Sequence, residues 1–435
     1  MKVPEILLIE SEHKPGSLAR ILQAIGESGL VVEGLIAQRR EQDKTIWEIT
    51  LEMDEDVDYG LSERIAALPN AKILGESDRV FNRHLGGKIQ MVARDQIETL
   101  QQLRDIYTPG VARVCLAIQR QPEKVWDYTN LGRTVAIITN GTAILGLGDI
   151  GARAGLPVME GKAALMSKFV GLSGIPILLE SKDPADIIET VKAIAPSFGA
   201  IQLEDIAAPA CFEVEAALRD ALGMPIMHDD QHGTAVIALA ALLNATRRVG
   251  HELTDSVVGQ IGLGAAGIGI ASLLMAYGIK NVIGTDPNVQ AVERLESMGG
   301  QGASLEELMR RADIVIATSG KRGLIKPELV RKGQIIFALS NPEPEIEAGD
   351  ALAHGAAFAA DGRGINNLLG FPGLFRGALD AKAKRFTDAM FFAAARKLAE
   401  LAKGNDLVPD VLLSRVHLQV AEAVSEAAKA SGADR

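Results

Sequence analysis

Two strand-like stretches near the middle of the chain each end in a pair of acids. The stretch "AIQLED" ends in Glu204 and Asp205, and "PIMHDD" ends in Asp229 and Asp230. Because ligands of parallel α/β sheets collect at the carboxyl ends of the strands, we expect these acids to converge on one crevice. Crowded carboxylates repel one another, and a hard divalent ion, Mg²⁺ or Mn²⁺, relieves that repulsion through oxygen ligands. An acid at a strand end also serves as a helix N-cap, but two pairs in equivalent positions favour a metal site.

Two histidines beside the second pair raise a zinc alternative. His228 and His232 stand four residues apart, a spacing that places two ligands on one face of a helix. Gly233 and the neighbouring acids indicate a loop at this point, however. The sequence therefore favours a hard ion held by carboxylates over zinc held by histidines.

The stretch "VVGQIGLGAAGIGIASLLMAYG" carries the pattern G-x-G-x-x-G between a predicted strand and a predicted helix. In such a loop the pyrophosphate of a dinucleotide lies on free N–H groups at the start of the helix. An acid at the end of the next strand accepts hydrogen bonds from the ribose diol and repels a 2′-phosphate, which favours NAD. NADP stays open, because one basic neighbour would reverse the preference. The predicted cofactor residues are Gly262, Gly264, Ala265, Ala266, Gly267 and Asp286.

A second copy of the glycine pattern occurs earlier, in "AILGLGDIGARAGLPVMEGKAAL". Asp149 stands inside this copy, where its carboxylate would oppose a pyrophosphate. Pro157 follows closely and limits any helix that starts there. We therefore predict a glycine-rich βα turn without a nucleotide. The alternative is a turn that brings the backbone close to substrate.

The elements around these residues predict an α/β protein of three domains. Residues 1–82 have the order βαββαβ of a ferredoxin-like domain, and the turn "KPGSLARIL" resembles the ACT domain, a small-ligand regulatory module. Residues 83–245 alternate strands with helices, which predicts a parallel α/β substrate and metal domain. Residues 246–435 form a Rossmann-type NAD domain followed by C-terminal helices.

Composition bounds the function classes. The 435 residues have a formal net charge of −11, which disfavours nucleic acid and acidic membranes as partners. Two cysteines without a C-x-x-C pattern favour a reducing compartment. The chain has no uninterrupted apolar run long enough for a membrane span, and its first residues lack the apolar run of a signal peptide. We expect a cytoplasmic protein.

Seven blocks in order resemble the malic enzyme family of the short bacterial type. The resemblance runs from roughly residue 85 to 400, and the blocks read "IYTPGVARVC", "GLGDIG…PVMEGKAALMSKF", "QLEDIAAPACFEVE", "HDDQHGTAV", "GLGAAGIGIA", "FALSNP" and "GINNLLGFPG". The resemblance implies oxidative decarboxylation of L-malate to pyruvate and CO₂, with NAD(P) and a divalent metal. It also implies, together with the ACT-like unit, a homo-oligomer of at least two chains.

The same resemblance assigns roles to single residues. Tyr107 and Lys162 fall on the catalytic tyrosine and lysine of the family. The implied metal ligands are Glu204, Asp205 and Asp230, and the implied substrate contacts are Asn341 and Asn367. Asp229 would orient the lysine or pair with its charge. One departure is Ala143, where larger members of the family carry an arginine that holds a malate carboxylate; the group that takes over this task stays open.

The implied chemistry sets demands on two side chains. Lys162 acts as the base that deprotonates the C2 hydroxyl only if burial and a nearby cation lower its pKa. Tyr107, in the "YTPG" turn, is the candidate acid that protonates C3 after CO₂ leaves.

Three alternatives remain at this point. A malolactic enzyme would retain NAD and release lactate, and another enzyme of the same build would oxidise a different 2-hydroxy-diacid such as tartrate. A third hypothesis is a protein that mainly senses a small ligand through its ACT-like unit. The complete set of tyrosine, lysine and acids argues against the loss of catalysis, and we expect the front unit to bind an effector that regulates the enzyme.

Overall fold

The structure is a computed structural model. It describes residues 2–41, 43–54, 57–76, 79–144, 146–341, 343–362 and 367–434. The chain divides into two compact units, Met1–Lys88 and Ile89–Arg435. The predicted boundary at residue 82 falls within a short helix, Arg79–His84, that ends the first unit.

The first unit is an antiparallel sheet of four strands with helices. Its elements are β1 (Lys2–Glu12), α1 (Ser17–Glu27), β2 (Val32–Glu41), β3 (Lys44–Asp54), α2 (Leu61–Ala66), β4 (Ala71–Glu76) and α3 (Arg79–His84). The strand order β2-β3-β1-β4 and the sequence βαββαβ confirm the predicted plan. The "KPGS" turn needs its glycine, because Gly16 precedes α1 with φ of 84°. Ile9, Ile21 and Ile49 are among the buried side chains that join the helices to the sheet.

The second unit contains two parallel sheets, which confirms the predicted fold class. The first sheet has the order β6-β5-β7-β8. Its strands are β5 (Thr134–Thr139), β6 (Ser173–Leu178), β7 (Ala200–Leu203) and β8 (Ile226–His228). The helices are α4 (Leu100–Ile106), α5 (Val111–Arg120), α6 (Val125–Tyr128), α7 (Ala152–Val170), α8 (Pro184–Ile194), α9 (Ala210–Ala221) and α10 (Asp229–Val249).

The second sheet has the doubly wound order β11-β10-β9-β12-β13-β14 of a dinucleotide-binding domain. Its strands are β9 (Val257–Ile261), β10 (Asn281–Thr285), β11 (Gln301–Gly302), β12 (Ile314–Ala317), β13 (Ile335–Ala338) and β14 (Phe358–Asp361). Its helices are α11 (Ala265–Tyr277), α12 (Val289–Ser297), α13 (Leu305–Arg311) and α14 (Ala348–Ala353). The chain ends in α15 (Phe371–Asp380), α16 (Asp388–Leu401) and α17 (Ser414–Ala430).

One apolar core joins the two parallel sheets. It runs from β5 through the largely buried helix α10 to α11, β9 and the three C-terminal helices. α10 and α11 approach very closely, since a Cβ on Gly269 would lie 2.5 Å from the carbonyl oxygen of Gln231. This core therefore fixes the start of α10, which carries two of the strand-end acids, relative to the dinucleotide-binding sheet.

Two local predictions are wrong. α7 begins directly after the first glycine pattern and contains Pro157. The helix continues through the proline, which removes only the one backbone hydrogen bond to the carbonyl of Arg153.

The second error concerns "DDQHG", which is the first turn of α10 and not a loop. Two acids there interact favourably with the positive end of the helix. Gly233 serves packing instead of a turn, because a Cβ at that position would lie 2.0 Å from Oδ1 of Asp229. No helix among the described residues is both long and apolar enough to cross a bilayer.

Candidate active site

The strand-end acids meet at the carboxyl edge of the first parallel sheet. β7 and β8 are neighbours, so the residues that follow them lie side by side. One carboxylate oxygen from each of Glu204, Asp205 and Asp230 lies within 4.8 Å of the other two. The backbone N–H of Asp205 donates to Oδ2 of Asp230 over 3.1 Å. The structure thus brings together the three acids singled out in the sequence.

Lys162 reaches this cluster from the middle of α7. Its Nζ donates to Oδ2 of Asp229 over 2.5 Å and lies 2.9 Å from Oε1 of Glu204. The lysine is only 9% exposed, and its ammonium sits 4.5 Å from the ring centroid of Phe371. Asn367 donates from Nδ2 to the same Oδ2 of Asp229 over 3.0 Å. We call the group formed by Lys162, Glu204, Asp205, Asp229 and Asp230 the acid–lysine cluster.

Burial raises the pKa of the acids in this cluster. The pKa of Asp205 rises to about 8, because burial and the carboxylates of Glu204 and Asp230 all disfavour its charge. Burial also raises the pKa of Asp229 and of Asp230 to about 6, although the charge of Lys162 opposes the rise. These carboxylates are therefore costly to ionise together unless a cation stabilises them.

The protein groups act on Lys162 in the opposite direction from the one expected. Burial by itself lowers the pKa of this lysine, but the carboxylates of Asp229 and Glu204 outweigh burial and hold the pKa above its ordinary value. The surrounding side chains alone thus favour the ammonium, because each acid attracts its charge. A neutral lysine requires that another cation compensates the acids.

The three strand-end acids could hold a hard divalent cation. All three offer oxygen ligands, which Mg²⁺ and Mn²⁺ prefer. Oδ2 of Asp205 is buried and has no hydrogen-bond partner among the described residues. An unsatisfied buried oxygen is unfavourable by itself, and a bound cation would satisfy it. The residues present therefore fit such an ion, and no histidine belongs to the described group of candidate ligands.

Glu215 holds the start of α10 in place through hydrogen bonds, and the sequence analysis missed this residue. Its carboxylate accepts hydrogen bonds from the backbone N–H of His228 over 3.1 Å and from Nε2 of Gln231 over 3.1 Å. Nε2 of His232 lies 2.8 Å away. Although burial would raise the pKa of Glu215, His232 holds it below the ordinary value. Glu215 lies on the buried face of α9, beside Val214. A charged residue on the apolar face of a predicted helix is the sequence signal that could have indicated it.

The second glycine pattern has the geometry that a dinucleotide requires. Gly262 has φ of 85°, and a Cβ there would lie 2.8 Å from the carbonyl oxygen of Thr318. A Cβ on Gly267 would lie 1.9 Å from the carbonyl oxygen of Gly262, so only glycine allows this turn to close. Gly264 is the N-cap of α11, which starts with Ala265 and Ala266. The N–H groups of this first turn are therefore available to an anion.

Asp286 follows β10 beside this glycine loop. Its Oδ2 accepts a hydrogen bond from the backbone N–H of Leu263 over 2.8 Å, and its Oδ1 accepts one from Asn288. The carboxylate thus lies at the loop, as the pattern predicts.

The remaining predicted residues differ in how close they lie to the cluster. The N–H of Ala143 donates to the carbonyl oxygen of Asp205 over 3.0 Å, which places the glycine-rich turn beside the acids. Asn341 is exposed, and its carbonyl oxygen lies 4.0 Å from the position of a Cβ on Gly146 in that turn. The first glycine pattern therefore lies near a candidate substrate residue.

Tyr107 is not brought to the acid–lysine cluster by any described contact. The side chain is 68% exposed and follows α4, in which no residue is buried. Its hydroxyl forms no hydrogen bond with any other residue that the structure describes. Its predicted role as an acid therefore requires that a conformational change or a second chain brings the Tyr107 hydroxyl next to an acid–lysine cluster.

Three family descriptions match parts of the chain. Residues 86–219 match the malic enzyme N-terminal domain, and residues 361–429 match the malic enzyme NAD binding domain. Residues 224–327 match the NAD binding domain of D-isomer specific 2-hydroxyacid dehydrogenases.

Whole proteins are similar as well. NAD-dependent malic enzyme 1 of Bacillus subtilis (strain 168) is 52% identical over 430 residues, which cover 97% of this chain and 97% of that protein. The bifunctional malic/malolactic enzyme of the same organism is 40% identical and covers 80% of this chain and 92% of its own length. The crystal structure of malic enzyme from Pyrococcus horikoshii Ot3 has a TM-score of 0.78 at 38% identity, and it covers 82% of this chain and 92% of that chain.

Proposed function

The chain belongs to the malic enzyme family, and on this premise we propose that the acid–lysine cluster is the site where L-malate is oxidised and decarboxylated to pyruvate and CO₂. One observation carries the assignment of the site. The buried amine of Lys162 lies within hydrogen-bond distance of Asp229 and beside acids suited to a hard cation. A base and an ion next to one hydroxyl are what the oxidation of a 2-hydroxy acid requires.

We propose that Glu204, Asp205 and Asp230 hold Mg²⁺ or Mn²⁺. When bound, the ion would acidify the C2 hydroxyl of malate and stabilise the negative charge that develops on that oxygen. The unpartnered oxygen of Asp205 and the raised pKa of its carboxyl support this role.

The side chains of the chain then have separate tasks. Lys162 accepts the proton of the C2 hydroxyl, and the cofactor, when bound, would take up the hydride that C2 loses. Asp229 holds the lysine in place through its 2.5 Å contact, and Asn367 fixes the orientation of that carboxylate. Asn341 lies beside the glycine-rich turn and contacts the substrate. Tyr107 donates the proton that C3 receives after CO₂ has left.

The proposed cofactor site is the turn that contains Gly262, Gly264 and Gly267. The N–H groups of Ala265, Ala266 and the residues that follow at the start of α11 would hold the pyrophosphate of the cofactor. The carboxylate of Asp286 would accept hydrogen bonds from the ribose diol, which favours NAD over NADP.

We propose a homo-oligomer of at least two chains, because apolar side chains stand exposed in the segment that leads to Tyr107. This apolar strip consists of Met91, Val92, Ile97, Leu100 and Ile106. Met91 is 91% exposed, and several exposed apolar side chains in one segment support an interface. A second copy that covers the strip would also cover Tyr107, which follows it directly, and we propose that the Tyr107 hydroxyl serves the active site of that copy.

The first unit is proposed to be an ACT-like regulatory domain for a small effector. It has the sheet order and the glycine turn of that plan. Removal of residues 1–88 should leave turnover of malate measurable and abolish the response to effectors. Amino acids are screened as candidate effectors by their influence on the initial rate of malate turnover. A truncated enzyme that still responds to an effector of the full-length protein would exclude this role.

Replacement of Lys162 tests the function. Lys162→Arg keeps a positive charge between the acids but removes the base, since a guanidinium does not lose its proton in proteins. We expect kcat to fall by at least about a thousandfold, within the range that general base catalysis supplies. Lys168→Arg on the exposed side of the same helix is the matched control and should retain activity. Pyruvate and NADH are measured with malate, NAD and Mn²⁺; full activity of Lys162→Arg would refute the site.

A malolactic reaction is the second candidate, since one relative at 40% identity is named a bifunctional malic/malolactic enzyme. The two reactions differ in what leaves the enzyme. Malate consumption with stoichiometric NADH absorbance at 340 nm and pyruvate supports the first proposal. Lactate without accumulation of NADH supports the second.

A further inference from the structure

A cleft of about 560 Å³ lies in the second unit, away from the acid–lysine cluster. It is bounded by the ends of α10 and α11, by α16 and by the segment that follows α16. Three arginines line it, namely Arg247 and Arg248 from the last turn of α10 and Arg396 from α16. We call this the arginine cleft.

None of the three arginines forms an ion pair with an acid in the described part of the chain. Nη1 of Arg247 donates to Oδ1 of Asn244 over 2.9 Å, and Nη2 of Arg248 donates to the carbonyl oxygen of Asp406 over 2.7 Å. Nε of Arg396 donates to the hydroxyl of Tyr277 over 3.4 Å. A guanidinium has five N–H donors, so most donors of this cluster remain for another partner.

The walls of the cleft are held in place by the protein itself. The buried side chain of Asn244 donates to the carbonyl oxygens of Ala399 and Leu407, both over 2.9 Å. The guanidinium of Arg396 lies 5.2 Å from the ring centroid of Tyr277, a cation–π distance. The segment after α16 is therefore tied to α10, and the arginines are oriented before any ligand arrives.

Helix polarity accounts for only part of this cluster. Arg247 and Arg248 interact favourably with the negative end of α10. Arg396 lies in the body of α16, where the negative end of the helix does not explain its position. The chain as a whole carries a net charge of −11, so three unpaired arginines in one cleft run against the general charge of the molecule.

We propose that the arginine cleft binds a small phosphorylated metabolite. Arginine forks bind phosphate through paired hydrogen bonds, and the volume falls in the range of small-molecule sites and exceeds the needs of a bare phosphate. Glu400 and Asp406 also line the cleft. Their carboxylates disfavour a ligand made only of anionic groups, and they accept hydrogen bonds from hydroxyl groups, such as those of a ribose.

This site is separate from the active site. Arg247 lies 18 residues beyond Asp229 on the same helix, which corresponds to about 27 Å along the axis. A ligand in the arginine cleft therefore does not compete with malate, and the proposal stands whether or not the proposed chemistry is correct.

Calorimetric titration of the full-length protein tests the proposal. The probes are AMP, ribose 5-phosphate and inorganic phosphate, each added in the presence of saturating NAD so that the glycine loop of the second sheet is occupied. We expect saturable binding of at least one of the two esters and a weakening of about tenfold or more in Arg247→Gln and Arg396→Gln, the loss of a charge-assisted hydrogen bond. Arg396→Lys keeps the charge without the fork and should bind with intermediate affinity.

Arg310→Gln is the matched control, since it removes an exposed charge from α13 outside the cleft. It should bind as the unchanged protein does, and thermal melting verifies that each variant is folded. Binding of both esters assigns recognition to the ribose phosphate, and binding of AMP alone assigns it to a nucleotide. Absence of saturable heat, equal affinity for inorganic phosphate, or unchanged binding in folded Arg396→Gln each overturns the proposal.

Discussion

At the scale of single residues, the acid–lysine cluster places more acids than bases in a buried space. Lys162 compensates Asp229 and Glu204, but Asp205 and Asp230 have no second lysine among the described contacts. Burial, and after it the neighbouring carboxylates, raise the pKa values of Asp205 and Asp230. The same excess makes the cluster a good cation site, since binding an ion removes the repulsion.

The raised pKa of Asp205 predicts how stability depends on pH. Between the ordinary aspartate pKa and about 8, the folded protein keeps a proton that the unfolded chain has lost. Stability therefore falls as pH rises, by at most about 1.4 kcal/mol per pH unit for one group. His228, whose pKa is lowered from 6.5 by burial, contributes in the opposite direction, and its contribution fades above pH 6.5. The acids therefore dominate the change in stability between pH 6.5 and 8.

Urea unfolding in EDTA at pH 6.5 and 8 measures this effect. The free energy of unfolding should decrease over the interval, and Asp205→Asn should reduce the decrease because it removes one titrating group. Asp220→Asn, an exposed acid on α9, is the control and should leave the decrease unchanged. An equal decrease in Asp205→Asn would contradict the prediction.

Asp286 should determine the choice of cofactor. Asp286→Ser removes the charge that repels a 2′-phosphate and weakens the contacts to the ribose diol. We expect kcat/KM to fall for NAD and to rise for NADP, each by about tenfold, or about 1.4 kcal/mol. Initial rates with both cofactors check this, and Asp220→Ser controls for loss of charge. A parallel change for both cofactors would show that Asp286 acts on the loop and not on the ribose.

At the scale of elements, the close approach of α10 and α11 determines how the two halves of the candidate active site are positioned. α10 starts with Asp229 and Asp230 and packs on α11, whose own start is the glycine loop. One contact thus links the candidate metal site with the candidate cofactor site. Gly269 permits it, because any side chain there would overlap the backbone of Gln231.

Gly269→Ala should therefore destabilise the protein and misplace α10. Overpacking of a dense core costs about 1–3 kcal/mol, and we expect a loss of that size in urea unfolding. We also expect a lower kcat/KM for malate, since Asp229 and Asp230 move with the helix. Gly349→Ala in α14, where a Cβ meets nothing within 4 Å, should change neither quantity. Wild-type stability in Gly269→Ala would mean that the two helices separate at no cost.

At the scale of the whole molecule, the exposed apolar strip before Tyr107 is the basis of the proposed homo-oligomer. The strip stands exposed in the described chain, and Tyr107, which is itself 68% exposed, follows it directly in the sequence. Association would remove the apolar side chains from water, which favours it by roughly 25 cal/mol for each Å² buried.

Mixed oligomers test whether Tyr107 serves a second copy. Tyr107→Phe and Lys162→Arg should each be inactive alone. In a hybrid dimer, the tyrosine of the Lys162→Arg chain would complete the pocket of the other chain, so one of the two sites recovers. Random exchange of two-fold dimers should restore about a quarter of the wild-type sites. Activity is measured after the two proteins are unfolded and refolded together; separately refolded proteins are the control, and no recovery would assign Tyr107 to its own chain or to no role.

The sequence by itself determined the features that depend on neighbouring residues. Strand and helix periodicity established the α/β class, the βαββαβ unit and the parallel sheets, and the second glycine pattern located the tight turn before α11, because each is a property of a short stretch. The strand ends singled out the acids that the structure brings together, and the block resemblance singled out Lys162. Local rules failed where packing prevailed, as for Pro157 inside α7 and for Gly233, which faces Asp229 and makes no turn.

Only the tertiary structure decided which distant side chains share a charge environment. Lys162 and Asp229 are 67 residues apart along the chain and 2.5 Å apart in space, and the pKa of the lysine depends on that distance. Residues from separate elements likewise meet in the hydrogen bond from the backbone of His228 to Glu215 and in the arginine cleft. Electrostatic interactions act through space and depend on burial, so no pattern along the chain contains them until the helices have packed.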